Sequence, residues 1–271
     1  MTDLARLTPA VEALMRQASE QAILPHYRTL SSDQIDAKAP DDVVTVADKA
    51  SEAFLTEKLS ALLPDAVVVG EEAVFDDENR MAPLKDSLCW IVDPLDGTNN
   101  FAAGKAPFGV LVALADKGET LGGWILDSLT GRFCSATPGC GAWIDGERVT
   151  ARTTGEARPV AAISTVFMDP TERAEVSAHV APHYTLVDIP RCAAEQYPRL
   201  MLGQNDIAVF NRTLPWDHAA GVLFLNEAGG KAAREDGSAY RVDEYDRGGL
   251  IGAASPRLWD DFANLLAKRT A

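Results

Sequence analysis

An apolar segment that ends in an acidic turn constrains this chain more than any other feature. Residues 88–92 read Leu-Cys-Trp-Ile-Val, and Asp93-Pro94-Leu95-Asp96-Gly97-Thr98 follows directly. The apolar run predicts a short buried strand, and regular pairing is expected to stop at Pro94 because proline cannot donate to a sheet ladder. The turn then brings two carboxylates together, and Gly97 permits backbone angles that are closed to other residues.

The same turn carries the groups that metal ions and phosphate need. Mg²⁺ prefers carboxylate and carbonyl oxygens and commonly links protein to substrate phosphate. Thr98 is predicted to be a helix N-cap, and the amides that follow a cap attract anions. The turn therefore predicts a Mg²⁺-dependent phosphoryl site, although such a string by itself could equally be a surface turn.

Three other segments place carboxylates at the ends of predicted elements, which favours the site over the surface turn. They are the apolar strand at 66–70 with Glu71 and Glu72 at its end, the helix-like stretch 215–221 with Trp216 and Asp217, and the helix predicted at 47–63 with Asp48 near its start.

Taken in order, these segments resemble the inositol monophosphatase family, which comprises Mg²⁺-dependent and typically lithium-sensitive phosphatases related to fructose-1,6-bisphosphatase. The family's Gly-Glu-Glu element matches Gly70-Glu71-Glu72, its Asp-Pro-hydrophobic-Asp-Gly-Thr signature matches the run from Asp93, and its Trp-Asp element matches Trp216-Asp217. Three motifs in the right order make the resemblance specific, and it spans nearly the whole chain.

The resemblance implies a carboxylate site for two or three Mg²⁺ ions. One ion would be held by Glu71, Asp93 and the carbonyl of Leu95. A second would be held by Asp93, Asp96 and Asp217, so that Asp93 bridges the two.

Catalysis in such a site implies direct in-line attack by water on a phosphomonoester, without a covalent phosphoenzyme. The Thr98 hydroxyl, held with Asp48 or Glu71, would orient the attacking water and help to deprotonate it. Glu71, Thr98 and Asp48 are therefore the predicted catalytic residues.

Other residues are predicted to bind the substrate or to support the metal ligands. The predicted substrate contacts are Gly97, Thr98, Asp217, Lys38 and Glu195, and the predicted supporting residues are Glu72 behind Glu71 and Trp216 beside Asp217. Lys38 is equally well interpreted as an exposed surface lysine.

The substrate is the point at which this chain departs from the family pattern. Many inositol phosphatases carry Gly-Ser or Gly-Thr before Ala-Ala, whereas this chain has Arg191-Cys192-Ala193-Ala194. An acidic residue that contacts inositol hydroxyls in those enzymes falls near Phe210 or Asn211, and neither is acidic. Glu195 and Gln196 are alternative polar candidates. Myo-inositol 1-phosphate leads the candidates, followed by histidinol phosphate, a 3'(2'),5'-bisphosphorylated nucleotide and a sugar phosphate.

Charge and composition narrow the class of protein. The formal net charge of -15 disfavours nucleic acids and anionic membranes as partners. No tract is apolar and long enough to span a bilayer, and the residues from Met1 lack a leader pattern, so a cytoplasmic location is expected.

The resemblance implies a homodimer. A regulatory binding protein with vestigial phosphatase activity is the alternative from another class.

The pattern along the chain predicts an α/β fold in two halves, 1–150 and 151–271, joined at a polar stretch from Arg148 to Arg158. The first half is expected to hold a helix that starts at Thr8 and Pro9, and an antiparallel meander with strands at 108–115, 121–127, 131–136 and 142–144. The second half is expected to alternate strands at 160–167, 184–188 and 206–210 with helices at 171–180 and 193–202, before a last helix from Pro256. The resemblance implies a layered α-β-α-β-α sandwich with two sheets and the site between the halves.

Overall fold

Two main β-sheets frame the computed structural model, which describes residues 4–39, 42–165 and 168–268. The helices are α1 Leu4–Ala18, α2 Val46–Leu62, α3 Glu71–Asp76, α4 Thr98–Ala102, α5 Pro170–Val180, α6 Ala193–Met201, α7 Pro215–Glu227 and α8 Pro256–Ala267. The strands are β1 Ile35–Ala39, β2 Asp42–Thr45, β3 Val67–Gly70, β4 Leu88–Asp96, β5 Gly109–Asp116, β6 Glu119–Asp127, β7 Phe133–Thr137, β8 Gly141–Ile144, β9 Glu147–Val149, β10 Val160–Ile163, β11 Thr185–Val187, β12 Ile207–Phe210, β13 Lys231–Arg234 and β14 Leu250–Ala253.

The first sheet has seven strands in the order β3-β4-β5-β6-β7-β8-β9. Strands β3 and β4 are parallel, and each later pair is antiparallel, so the predicted meander is confirmed and β9 extends it. Because β3 and β4 run in the same direction, their carboxyl ends meet at one edge of the sheet. Glu71 and the acidic turn after Val92 therefore lie side by side.

The first sheet is buried on both faces, as the pleat of β4 illustrates. Trp90 and Val92 pack against α1 and α2, whereas Cys89 and Ile91 on the opposite face belong to the cluster that contains α6 and α7. A strand covered on both sides has no polar face, which explains why residues 88–92 are continuously apolar rather than alternating.

The second sheet has five strands in the order β11-β10-β12-β14-β13. Strand β10 is parallel to both β11 and β12, whereas β14 is antiparallel to both of its neighbours, β12 and β13. Ala208 and Ala232 face the α6 and α7 layer, whereas Ile207 and Ala233 face α5 and α8. The layers are therefore α1/α2, first sheet, α6/α7, second sheet and α5/α8, which confirms the expected α-β-α-β-α order. A separate hairpin of β1 and β2 lies outside the two main sheets.

Some boundaries differ from the sequence predictions. Helix α1 begins at Leu4 and contains Pro9, so Thr8 and Pro9 do not start it. Strand β4 continues through Pro94 to Asp96, but its regular pairing with β5 is interrupted between Asp93 and Asp96, as expected at Pro94. Strand β10 ends at Ile163, and residues 166–167 of the longer predicted strand lie outside the described residues.

Each predicted half contains one main sheet, and the division near residue 150 stays a prediction. Gly123 in β6 shows how closely the halves approach each other, since an added Cβ there would lie 2.8 Å from the Cα of Ala220 in α7. Over the described ranges, none of the helices combines the length and the apolar character that a bilayer crossing requires.

Candidate active site

Three structural elements bring the predicted acidic residues to one cleft. Glu71 is the first residue of α3 after β3, Asp93 and Asp96 lie at the end of β4, and Asp217 lies in the first turn of α7. One carboxylate oxygen from each of Asp93, Asp96 and Asp217 lies within 4.8 Å of the other two. Glu71 lines the same cleft, and we call these four residues the carboxylate cage.

The electrostatics of the carboxylate cage fit a bound cation. Burial, with the charge of Glu71 next, raises the pKa of Asp93 well above its usual range, and the same two causes raise the pKa of Asp217 to about 8. Clustered carboxylates stay ionised at neutral pH only when positive charge compensates them. Oxygen donors at this spacing suit Mg²⁺, so the residues present fit the metal that the resemblance implies.

A bulge in β4 places both aspartates of the signature in the cleft. Asp93 pairs with Leu111 and Asp96 with Gly109, so three steps along β4 match two steps along β5. In a regular strand, two residues three positions apart, such as Asp93 and Asp96, point to opposite faces of the sheet, and the bulge removes that difference. The bulge is held by the Leu95 N–H, which donates to Asp93 Oδ1 at 3.0 Å. The Ser51 hydroxyl of α2 donates to the Pro94 carbonyl at 2.8 Å and fixes it from the other side.

Gly97, rather than Thr98, is the N-cap of α4, so the predicted cap is wrong. Gly97 has φ 82°, and an added Cβ would lie 2.8 Å from the Pro107 carbonyl oxygen, so both conformation and space favour glycine. The Thr98 hydroxyl is consequently free of a capping role. It lies 3.0 Å from Asp48 Oδ1 and 2.8 Å from the Leu95 carbonyl oxygen.

Asp48 is held rigidly behind Thr98. Its Oδ2 accepts hydrogen bonds from the backbone N–H and the hydroxyl of Thr45, at 2.8 and 2.6 Å, in the capping box that starts α2. Burial raises the pKa of Asp48 to about 7 although both Thr45 contacts favour the ionised form. Asp48 is thus a fixed proton acceptor whose second oxygen faces the Thr98 hydroxyl.

Lys38 is not the exposed surface lysine of the alternative interpretation, and its contact with the substrate stays a prediction. Its side chain is 4% exposed, and its Nζ donates to Glu71 Oε1 at 3.0 Å and to Glu72 Oε1 at 2.6 Å. Burial lowers the pKa of Lys38, but the charges of Glu71 and Glu72 outweigh that effect and raise it overall. Lys38 therefore positions Glu71. Glu72, the predicted supporting residue, binds the same ammonium group.

The sequence interpretation missed Glu52, which fixes the start of α3. Its buried carboxylate accepts the N–H groups of Glu72 and Ala73, both at 2.8 Å, and thereby caps the helix that begins with Glu71. Only the three-dimensional contact identifies this role, because Glu52 lies in the interior of α2 and in none of the matched family motifs.

Hydrogen-bond donors from the second half of the chain also fix one residue of the carboxylate cage, Asp96. Asp96 Oδ2 accepts the Ala194 N–H at 2.6 Å and the Cys192 thiol at 3.0 Å. Cys192 is buried at the wall of the cleft, and burial and then the charge of Asp96 raise its pKa well above the ordinary value, so the sulfur remains a thiol. Cys192 therefore takes part in the site as a hydrogen-bond donor rather than only in packing.

Two other predicted residues lie outside the cleft. The carboxylate of Glu195 forms ion pairs with Arg132 at 2.6 Å and Arg199 at 2.9 Å, and Glu195 does not line the cleft. Trp216 is buried at the start of α7, where it packs among apolar residues beside Asp217.

The cleft is also lined by residues that sequence analysis did not assign to the site. They are Arg191, Phe210 and Arg212, which we call the alcohol wall, together with Asp42 and Ser164. Gln196, which sequence analysis named as an alternative polar candidate, lines the cleft as well. Arg191 and Phe210 fall at the two places where the chain departs from the family pattern, so that departure was the available signal. No motif identified the others.

Comparisons with known proteins agree with this geometry. A profile described as the inositol monophosphatase family matches residues 3–270. In structure, an IMPase of Thermotoga maritima superposes with a TM-score of 0.80 at 22% identity, covering 98% of both chains.

Curated relatives carry more than one activity in their names. The chain is 30% identical to a chloroplastic phosphatase, IMPL1, of Arabidopsis thaliana over 83% of this chain and 62% of that protein. It is 26% identical to an inositol-1-monophosphatase of Bacillus subtilis over 89% of each chain. It is also 29% identical to a histidinol-phosphatase of Chlorobaculum parvum over 83% of this chain and 85% of that one. The profile match over nearly the whole length, together with these relatives, shows that the chain is a phosphatase of the inositol monophosphatase family.

Proposed function

We propose that the protein hydrolyses the phosphomonoester of a small alcohol in a Mg²⁺-dependent reaction, by direct in-line attack of water. The observation that carries this proposal is the convergence of the Asp93, Asp96 and Asp217 oxygens within 4.8 Å of one another, beside the Thr98–Asp48 pair. A structural role alone does not account for a cluster of carboxylates with raised pKa values at the mouth of a cleft.

The carboxylate cage and the carbonyl of Leu95 would hold two or three Mg²⁺ ions, with Asp93 shared between two of them. When bound, Mg²⁺ supplies an activated water and neutralises charge on the phosphate and the leaving oxygen. The protein's own contribution is to keep the ligands fixed. The Leu95 N–H orients Asp93, the Ala194 N–H orients Asp96, and Lys38 orients Glu71.

Thr98 and Asp48 are proposed to handle the proton of the attacking water. The Thr98 hydroxyl is placed to accept a hydrogen bond from that water while it donates its own proton to Asp48 Oδ1, 3.0 Å away. A pKa of about 7 suits Asp48 as a group that takes up a proton near neutral pH. The backbone N–H groups of Gly97 and Thr98 lie at the start of α4, where no preceding helical turn offers them a carbonyl acceptor. We propose that they hold the phosphate.

The substrate candidates follow from the relatives and the sequence. Myo-inositol 1-phosphate is the first compound to assay, and histidinol phosphate, a 3'(2'),5'-bisphosphorylated nucleotide and a sugar phosphate follow. We also propose, from family membership, a homodimer that is inhibited by lithium and acts in the cytoplasm. Sedimentation that shows only monomer at micromolar concentration would contradict the homodimer, and full activity in high LiCl would contradict the lithium inhibition.

The test is release of inorganic phosphate from a panel of phosphomonoesters, including p-nitrophenyl phosphate, with Mg²⁺ and with EDTA. Phosphate release that depends on Mg²⁺ is expected. A stable, folded protein that releases none with any substrate would favour the regulatory binding protein instead.

A further inference from the structure

Residues 210–213 connect β12 to α7 and include two members of the alcohol wall. Phe210 and Arg212 line the cleft, and Asp217 follows in the first turn of α7. Arg212 pairs with Asp42 at 3.5 Å, and its charge opposes the rise that burial causes in the pKa of Asp217. The position of this segment therefore decides where an aromatic ring and a guanidinium group lie in the cleft.

His218 fastens the backbone of this segment. It is 3% exposed, its Nε2 lies 3.1 Å from the Arg212 carbonyl oxygen, and its Nδ1 lies 2.8 Å from the Tyr197 hydroxyl. A carbonyl oxygen can only accept a hydrogen bond, so Nε2 carries the ring proton. Burial lowers the pKa of His218 to about 3, so the ring is neutral and Nδ1 accepts from Tyr197. A chain of two hydrogen bonds therefore runs from Tyr197 in α6 to Arg212.

The same two side chains also hold the ring of Phe210. This ring stacks on Tyr197, with centroids 5.4 Å apart and planes at 20°, and it meets the His218 ring at 4.7 Å and 66°. Stacked and edge-on arrangements at these separations are favourable for aromatic pairs. Tyr197 and His218 thus fix the Phe210 side chain and the Arg212 backbone together.

Arg234 in β13 fastens the end of the segment. It is 1% exposed, its Nη1 donates to the Thr213 hydroxyl at 2.7 Å and to the Arg247 carbonyl at 2.6 Å, and its Nη2 donates to the Glu244 carbonyl at 3.1 Å. The Thr213 hydroxyl donates in turn to the Arg247 carbonyl at 2.7 Å. Burial of a guanidinium group is costly, and this one ties Thr213 to the loop at 244–247. We call Tyr197, His218 and Arg234 the support network.

The support network acts on a different part of the cleft from the donors that orient the metal ligands. Its hydrogen bonds end on residues 212 and 213 and on the loop at 244–247. Asp93, Asp96 and Glu71 are instead oriented by donors from β4, α6 and β1. The network is therefore placed to fix two members of the alcohol wall without being needed for those three carboxylates.

We propose that Tyr197, His218 and Arg234 are positioning residues, which hold Phe210 and Arg212 where these two residues contact the alcohol part of the substrate. This inference rests on the proposed phosphatase function and names the residues that keep the substrate contacts of the same site in place. A contact that is already ordered binds more tightly than a mobile one, because no ordering cost is added on binding. Loss of the network should therefore raise KM and leave kcat and metal binding nearly unchanged.

The first experiment compares two variants that each keep an aromatic ring. His218→Phe removes both hydrogen bonds of the ring, and Tyr197→Phe removes one of them and keeps the stack on Phe210. On the ester of the panel with the highest kcat/KM, we expect KM to rise about tenfold in His218→Phe and less in Tyr197→Phe, the scale of one or two buried hydrogen bonds. In both variants, kcat and the Mg²⁺ concentration at half-maximal rate should stay within about twofold of the wild type.

His179→Phe is the matched control for these variants. His179 Nε2 lies 2.8 Å from the Leu265 carbonyl oxygen, so the variant loses a contact between histidine and a carbonyl of the same kind, but outside the cleft. Its KM should equal that of the wild type. His218→Gln tests rescue, because its side-chain N–H can replace the donor to Arg212, and its KM should return most of the way to the wild-type value.

The split between KM and kcat separates positioning from a role in stability alone. If the network served only stability, His218→Phe would lower the melting temperature and leave KM of the folded protein unchanged, and that result overturns the proposal. A raised Mg²⁺ requirement with unchanged KM would place His218 behind Asp217 instead and also overturns it. Because Tyr197 is proposed to act through His218, the double variant should have the KM of His218→Phe alone. Effects on KM that multiply overturn the relay.

Thr213→Val tests the role of Arg234 without removing a buried cation. Valine keeps the shape of the side chain and lacks the hydroxyl that joins Arg234 to residue 213, so we expect KM to rise about threefold or more with kcat nearly unchanged. Thr213→Ser keeps the hydroxyl and should behave as the wild type. An unchanged KM in folded Thr213→Val overturns the role of Arg234.

The wild type separates a failure of this inference from a failure of the proposed function. If it hydrolyses no ester, including p-nitrophenyl phosphate, the proposed function fails and this inference fails with it. Hydrolysis by the wild type, with KM values that do not move in the folded variants, rejects the inference alone.

Discussion

The carboxylate cage and the alcohol wall are two groups of residues that line one cleft and are built in opposite ways. The cage takes residues from the ends of β3 and β4 and the start of α7, and neighbouring backbone and side-chain groups hold Asp93, Asp96 and Glu71 in place. The wall takes single residues from loops and a strand end, and two of its three members, Arg191 and Arg212, are exposed. Regular elements position the groups for chemistry with precision, whereas loops change composition without disturbing that chemistry.

This comparison predicts two kinds of mutational effect. Substitutions at the cage and its proton-handling pair should lower the rate for every substrate by a similar factor. Substitutions at the alcohol wall should change the ratio between substrates. The predictions below test the first kind, in order of expected size.

Asp93→Asn should have the largest effect. Loss of one negative charge from the ligand shared by two ions should remove several kcal/mol of transition-state stabilisation, roughly a thousandfold or more in kcat/KM. The metal-free variant should melt higher than the wild type, because burial raises the pKa of Asp93 and its ionised form is costly there. Steady-state kinetics and thermal melting measure both. Near-normal activity at saturating Mg²⁺ would disprove the bridging role.

Thr98→Ala should come second, with kcat lowered roughly a hundredfold or more on every ester, because one positioned proton-transfer contact is lost. Mg²⁺ affinity, measured by calorimetry, should barely change since Thr98 contributes no carboxylate. Thr98→Ser is the matched control and should retain most of the rate. If kcat in Thr98→Ala stays within a few-fold of the wild type, the water-orienting pair with Asp48 is wrong.

The third prediction concerns the pH dependence of Mg²⁺ binding, which should be a smaller effect than the two losses of rate above. The Mg²⁺ affinity should change by up to about tenfold per pH unit for each proton that the metal displaces. In the metal-free protein, the pKa of Asp48 is raised to about 7 and that of Asp217 to about 8, both mainly by burial, from ordinary values near 3.8. The folded state therefore binds more protons than the unfolded chain between about pH 4 and 8, and metal-free stability should fall as pH rises through that window.

Melting curves with and without Mg²⁺ at several pH values measure this effect. The Mg²⁺-induced rise in melting temperature should grow up to about pH 8 and then level off, because protons compete with the metal at lower pH. Asp217→Asn should flatten both trends. A metal-free melting temperature that increases steadily toward pH 8 would contradict the assigned direction.

Cys192→Ala should have the smallest effect. The thiol donates to Asp96 and is a weak donor, so its loss should reduce Mg²⁺ affinity by about tenfold or less. Cys192→Ser should restore the affinity. Cys192 follows Arg191 directly, so it also marks the boundary between the two sides of the cleft. A change in substrate ratio with unchanged Mg²⁺ affinity would place Cys192 in the alcohol wall instead.

Local patterns indicated the position of the site, because continuous apolar runs predicted buried strands and acidic residues follow two of them directly, at the edge where β3 and β4 end together. The layer order and the assignment of metal ligands came from the family resemblance. Strand β13 was missed, since Lys231-Ala-Ala-Arg234 has little apolar character and its pairing partner β14 is distant in sequence. The bulge at Pro94 was missed because proline predicts only the loss of a donor, whereas the register depends on β5.

The environments of Lys38, Glu52 and Glu195 could not be predicted because each is decided by partners distant in sequence. Lys38 binds the two glutamates that begin α3, Glu52 caps that helix from α2, and Glu195 is paired with Arg132. Long polar side chains have several accessible directions, and only the assembled fold selects one.

The hydrogen bond from the Ala194 amide to Asp96 has a consequence for how the protein can be followed as it folds. Asp96 comes from the first sheet and Ala194 from the helix layer between the sheets, so this contact forms only after both parts have docked. The Ala194 amide proton should therefore exchange with solvent only when the two parts separate. Recovery of catalytic activity during refolding then reports completion of the whole structure, whereas a spectroscopic signal from the first sheet alone should recover earlier.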